Sequence, residues 1–189
     1  MLPGRPDEPG LVLLDRDGVI NEDSEAHIKS PAEWRPLPGS PEAIARLCRA
    51  GYQVWVVTNQ SGIGRGYFSE ADLEAIHRKM HGVIREAGGE LAGIRICPHA
   101  PDAGCECRKP RTGLLLDIEQ ALGRDLRSIP FAGDSLRDLE CARERGCQPV
   151  LVRTGKGTRT EDELPDEFAR IPVHDDLAGF VDALLNQGS

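Results

Sequence analysis

Apolar residues along the chain fall into two alternating rhythms. Short runs too dense for an amphipathic surface, LVLLD (Leu11–Asp15), YQVWVVT (Tyr52–Thr58), LAGIRIC (Leu91–Cys97), IPFAGD (Ile129–Asp134) and QPVLVRT (Gln148–Thr154), predict buried strands. Between them lie stretches with helical spacing. One opens at Pro38–Pro41 and runs to about Ala50, where Gly51 stops it. Another runs from Ser69 to about Ala87, with Ser69 as N-cap and Asp72 at the third helical position. Further helices are expected over Thr112–Leu122 and Leu136–Arg145, and a final one capped by Asp175 or Asp176 reaches about Leu185. Strands alternating with single helices predict an α/β fold: a Rossmann-like, mainly parallel sheet with helices on both faces. One region, Pro98–Arg111, fits neither rhythm and reads as an insertion at the rim of the sheet. A single domain over residues 1–189 is expected, with 1–10 as a loose tail and 97–110 as the inserted loop.

In such sheets ligands collect beyond the carboxyl ends of the strands. There this sequence concentrates its chemistry. The first strand runs into Asp15-Arg16-Asp17-Gly18. Residues i and i+2 of a strand point the same way, so both carboxylates can face one site, and Gly18 permits a tight turn. Two like charges at a strand end call for a cation, and a hard divalent ion such as Mg²⁺ would neutralise them. Asp15 could then attack phosphorus, with Asp17 protonating the departing oxygen and later activating water. A solvated turn would account for the same pair. The second strand ends at Thr58 and leads into TNQSGIGRG (Thr58–Gly66), a hydroxyl followed by small residues with free N–H groups that can cradle phosphate, or a plain glycine-rich connection. Its glycines do not form GxGxxG, and no GxxxxGK[ST] is present, so dinucleotide and P-loop nucleotide binding are disfavoured. Substrate contacts are expected from Asn59, Gln60, Ser61 and Arg65 of this loop, from Arg108 and from Ser135.

Cysteine usage sharpens the picture. Three of the six cysteines lie between Cys97 and Cys107, where Cys97, His99, Cys105 and Cys107 form C-x-H-x5-C-x-C. Three thiolates and one imidazole complete a tetrahedral zinc set with no open position, which predicts a structural site; disulfides or free thiols are the alternative. Arg108 and Lys109 follow the last ligand, so zinc would fix two cations suited to phosphate. Cys48, Cys141 and Cys147 fall in helical patterns and read as small apolar residues. GDSLRD (Gly133–Asp138) supplies two more acids: Asp134 could complete the Mg²⁺ site, and Asp138 could bind the metal directly or through water, or both could favour a helix N-terminus.

Composition adds exclusions. With 39% hydrophobic and 29% charged residues the chain is an ordinary globular one, and a net charge of −8 disfavours a general nucleic-acid surface. No apolar run approaches the ~20 residues of a membrane span. The expectation is a cytoplasmic monomer that acts on a small molecule and engages neither nucleic acid nor membrane.

DRDG, TNQ, the Arg-Lys pair and GDS, in this order from Leu11 to Thr154, resemble the haloacid dehalogenase superfamily of Mg²⁺-dependent phosphatases. The zinc loop, TNQSGIGRG and LVRTGKG (Leu151–Gly157) are similar to the branch that holds the heptose 1,7-bisphosphate 7-phosphatases and the histidinol-phosphate phosphatases, the heptose enzymes more closely. The resemblance implies Asp15 as nucleophile and Asp17 as acid/base. It implies Mg²⁺ on Asp15, the backbone carbonyl of Asp17 and Asp134, with Thr58 and Lys109 steadying the transferring phosphoryl group. Arg108 would recognise substrate, and the four zinc ligands would be structural. Hydrolysis of a heptose bisphosphate on the route to lipopolysaccharide is the function so implied. Histidinol phosphate or another small monophosphate is the alternative substrate, and a zinc-stabilised nucleic-acid-binding module is the alternative of another class.

Overall fold

The computed structural model describes residues 9–186. Its frame is a six-stranded sheet in the order β3-β2-β1-β4-β5-β6, every neighbouring pair parallel. The strands are β1 (Gly10–Leu14), β2 (Tyr52–Asn59), β3 (Gly93–Cys97), β4 (Pro130–Gly133), β5 (Gln148–Val152) and β6 (Val173–His174). The helices are α1 (Ser40–Arg49), α2 (Ser61–Gly64), α3 (Glu70–Glu86), α4 (Gly113–Leu122), α5 (Leu136–Glu144), α6 (Gly157–Asp162) and α7 (Leu177–Asn186), with a 3-10 turn at Asp166–Phe168.

Strand alternation builds two cores from one sheet. Val12, Leu14, Val54 and Val56 face α1, α3 and α7 through Ile44, Ile76 and Phe180. Leu11, Leu13, Trp55 and Val57 face the other way, against Leu115 and Ile118 of α4 and Ala142 of α5. Double coverage explains why the strand segments read as continuous apolar runs. Cys141 and Cys147 are buried in the second core, and Cys48 packs at the edge of the first.

Several caps follow from local sequence. Ser69 and Asp72 form a reciprocal capping box at the start of α3. Asp176, rather than Asp175, caps α7 by accepting from the Gly179 N–H at 2.8 Å. Four short elements, α2, α6, the 3-10 turn and β6, carry too few residues to display a period. Gly10 belongs to β1, opposite Tyr52, and residues 1–8 of the expected tail lie outside the described residues. No helix among the described residues is long and apolar enough to cross a membrane.

The topology places the site. From β1 the chain moves outward to β2 and β3, then crosses to the other side of β1 and continues through β4, β5 and β6. The reversal opens a crevice beyond the carboxyl ends of β1 and β4. Asp15 and Asp134 are the first residues past those two ends.

Candidate active site

A cleft of about 230 Å³ opens there, enough for one small molecule, with Asp15, Asp17, Lys109, Asp134 and Arg108 in its lining. Lys109 stands at its floor. Its side chain is 2% exposed; the ammonium donates to the Val57 carbonyl at 2.7 Å and forms ion pairs with Asp15 Oδ1 at 3.0 Å and Asp138 Oδ1 at 2.7 Å. Burial by itself would lower the pKa of Lys109; Asp138 and Asp15 outweigh it and raise it, so the cation is secure. Asp138 also accepts from the backbone N–H and hydroxyl of Ser135 at 3.1 and 2.8 Å. Burial opposes its ionisation, yet Lys109 holds its carboxyl below the ordinary range.

The other two acids behave oppositely. Burial, then the charge of Asp138, raises Asp15 well above the ordinary carboxylate range, while Lys109 pulls the other way. The same two causes push Asp134 up to about 7. Oxygens of Asp15, Asp134 and Asp138 all lie within 4.8 Å of one another. Three buried acids, two of them reluctant to ionise, form a donor set suited to a hard divalent cation. Gly18 makes the approach feasible: its φ is 81°, and a Cβ there would fall 2.0 Å from Asp134 Oδ2.

Asp17 lines the cleft, but its side chain does not join this acidic group. The expectation that both carboxylates serve one cation is corrected, because β1 ends at Leu14 and strand alternation no longer governs residue 17. Asp17 Oδ1 instead accepts from Arg16 and from Asn21 Nδ2 at 2.9 Å, and Oδ2 accepts from Gln60 Nε2 at 2.8 Å. Burial would raise its pKa, but Arg16, Asn21 and Gln60 hold it below the usual value.

From the end of β2 and the loop after it, Asn59, Gln60 and Ser61 line the cleft. Thr58 is 1% exposed, does not line the cleft, and its hydroxyl accepts from Gln60 Nε2 at 2.9 Å. Asn59 exchanges two hydrogen bonds with the backbone of Lys109, at 3.1 and 3.0 Å, and so pins the lysine to the end of β2. Gln60 spends its amide on Asp17, Thr58 and Arg16. Ser61 lines the cleft, whereas Arg65 is exposed and outside the lining. Ser135 lines the cleft, with its hydroxyl engaged in capping α5.

Arg108 reaches the cleft with a buried Nη1 that has no hydrogen-bond partner. Burial, then repulsion from Arg137, lowers its pKa. Arg137 and Lys156 also line the cleft, and neither stood out in the sequence. Arg137 lies in the first turn of α5, whose N-cap Ser135 also lines the cleft. Lys156 pairs with Asp23 at 2.9 Å, and its backbone N–H donates to Asp134 Oδ2 at 2.9 Å.

Behind Arg108 lies the thiol cluster. Cys97 ends β3, and its Sγ stands 3.6 Å from His99 Nδ1, 3.6 Å from Cys105 Sγ and 3.0 Å from Cys107 Sγ; His99 Nδ1 is 3.1 Å from Cys107 Sγ. Thiols this close cannot all ionise alone: burial, then hydrogen bonding with Cys97 and Cys105, pushes Cys107 up to about 12. Zinc would offset that cost, and four soft donors at these separations fit its tetrahedral shell. The loop after β2 docks on this unit. Gly64 N donates to the Pro98 carbonyl at 2.8 Å, and a Cβ at Gly64 would lie 2.6 Å from Ala100 N.

Comparison with known proteins agrees with this chemistry. A HAD-hydrolase-like family model matches residues 106–180. The D-glycero-β-D-manno-heptose-1,7-bisphosphate 7-phosphatase of Pseudomonas aeruginosa is 54% identical over 93% of this chain and 97% of its own length. The enzyme of the same name from Bordetella bronchiseptica is 49% identical over 94% and 98%. A crystal structure of D,D-heptose 1,7-bisphosphate phosphatase from B. bronchiseptica, in complex with magnesium and phosphate, superposes with a TM-score of 0.90 over 94% of this chain and 99% of that one, at 49% identity. The corresponding Burkholderia thailandensis structure gives 0.73 at 43% identity, covering 93% of this chain and 98% of that one. With its acidic cleft, thiol cluster and relatives of this identity along nearly its whole length, the chain belongs to the heptose-1,7-bisphosphate 7-phosphatase family of HAD-like hydrolases.

Proposed function

We propose that this phosphatase removes the 7-phosphate of D-glycero-β-D-manno-heptose 1,7-bisphosphate through a phosphorylated Asp15, in the supply of heptose for lipopolysaccharide. The observation that carries the reading is the buried Lys109 ammonium shared by Asp15 and Asp138 beside Asp134. Asp15 attacks phosphorus as the bond to O7 breaks, and Asp17, entering the step with the proton it took from water in the preceding turnover, gives that proton to the departing oxygen. Asp17 then takes a proton from water. The resulting nucleophile attacks the acyl phosphate, which frees inorganic phosphate and restores Asp15. Lys109 keeps a positive charge against the transferring group throughout. A Mg²⁺ ion held by Asp15, Asp134 and the Asp17 carbonyl would supply further charge neutralisation and keep Asp15 ionised. Asp138 acts through Lys109.

The phosphate that stays on C1 needs its own counter-charge. Arg108, with its free buried Nη1, and Arg137 beside it provide one. The anomer follows the name that the relatives carry. Six cysteines without disulfides accord with action in the cytoplasm.

The test is release of phosphate from the two heptose anomers and from histidinol phosphate, with and without Mg²⁺. The β-bisphosphate should give the highest kcat/KM, and Asp15→Asn should remove turnover while leaving the fold intact. Preference for histidinol phosphate would reject the substrate; robust turnover by Asp15→Asn would reject the nucleophile.

A further inference from the structure

Arg16, between the two aspartates, is among the largest fully buried side chains, 1% exposed. A guanidinium removed from water costs several kcal/mol unless it is matched, so its partners reveal its purpose. Both Nε, at 3.1 Å, and Nη2, at 2.8 Å, donate to the single oxygen Oδ1 of Asp17. Nη2 also donates to Gln60 Oε1 at 3.2 Å, and Nη1 lies 3.3 Å from His77 Nε2.

Donor logic fixes the far end of this chain. Arginine can only donate, so His77 Nε2 must present a lone pair, and its proton sits on Nδ1. A neutral ring agrees with burial and the charge of Arg16, which push His77 down to about 3. His77 is held on the inner side of α3 between Leu73 and Met80, one turn away on either side and both buried. Gln60 is likewise oriented by its neighbours: its oxygen meets the arginine and its amide meets Asp17 Oδ2.

We propose that Arg16, braced by His77, is a positioning residue that aims the Asp17 carboxyl at the leaving oxygen. This rests on the reading of Asp17 as general acid. Asp17 lies past the end of β1, where its backbone has only an isolated bridge to Asn21, and four side-chain hydrogen bonds fix its carboxyl. A general acid contributes about 10²–10⁴ in rate only when it sits within hydrogen-bond reach of its target.

The leaving group separates positioning from mere structure. A sugar alkoxide must be protonated as it departs, whereas p-nitrophenolate leaves unprotonated. The ratio of kcat/KM for the heptose bisphosphate to that for p-nitrophenyl phosphate isolates the first transfer to Asp15. Asp17→Asn should lower this ratio by about 10²-fold or more, and His77→Leu by about tenfold. His77→Gln, whose amide oxygen can still accept from Arg16, should stay close to the parent. Arg16→Lys, which keeps the charge and loses the fork, should resemble His77→Leu and serves in its place should the leucine variant not fold. Equal losses on both substrates in His77→Leu or Arg16→Lys, or a glutamine variant as poor as the leucine one, would overturn the positioning role. An unchanged ratio in Asp17→Asn would instead remove the general acid itself, and the proposal with it.

Discussion

Asp134→Asn is expected to stabilise the metal-free protein while abolishing its catalysis. Asp134 is 3% exposed, and burial, then Asp138, raises its carboxyl to about 7. The ordinary value is near 4, so in the window between the two the folded chain holds a proton that the unfolded chain has released. Stability from this group is therefore fully present below about pH 4 and is lost as pH rises through about 7. At 1.36 kcal/mol per unit, the loss by pH 8 is about 4 kcal/mol, a ceiling because protons redistribute among three interacting acids. Asn carries no charge, and its amide oxygen can still accept the Lys156 N–H that now bonds Oδ2 at 2.9 Å. In a chain of this size 1 kcal/mol corresponds to about 2–4 °C, so the variant should melt up to roughly 8–16 °C higher at pH 8 in chelator. The difference should shrink toward pH 4. Mg²⁺ at 100 times its Kd should raise the parent by about 2.7 kcal/mol and the variant far less. Thermal melts at pH 4, 6 and 8, with EDTA or Mg²⁺, supply the comparison. A variant no more stable than the parent at pH 8 in EDTA, or a variant–parent difference that does not shrink toward pH 4, would refute the account of the acidic cluster.

Lys109→Met should cost about 3–5 kcal/mol, because it strands two buried carboxylates, and should lower kcat by at least about 10²-fold; chemical denaturation and phosphate release measure the two effects. Cys107→Ser should release zinc, read by elemental analysis as a fall from one equivalent, and should lower activity because Arg108 and Lys109 follow the ligand directly. Arg137→Ala should raise KM for the bisphosphate about tenfold or more and change kcat little, with a much smaller effect on a heptose 7-monophosphate that lacks the second charge.

Chemistry at strand ends was legible because a parallel sheet with helices on both faces makes its own pattern. Dense apolar runs ending in Asp15, Thr58, Cys97 and Asp134 announce a common edge, and C-x-H-x5-C-x-C is compact enough to form its cluster from local sequence alone. What each polar residue does at that edge was not legible. Asn59 and Gln60, expected on substrate, line the cleft and also hold Lys109 and Asp17, partners that come from segments remote in the chain. Asp138 could be assigned to metal or to the helix dipole until Lys109 arrived from another loop at 2.7 Å. His77 looks like any helical histidine, and Arg16 like a spacer; only the packing of α3 under the first loop joins them.

The sequence by itself determined the fold class, the strand ends as the locus of chemistry and the compact Cys/His cluster, since these depend on periodicity and on residues near one another in the chain. Tertiary structure alone decided which carboxylates share the buried ammonium, which acid stands apart on Arg16, and which side chains face the cleft. Those outcomes depend on distances of a few ångströms between segments that the chain keeps far apart, and charge interactions out of water are steep over such distances.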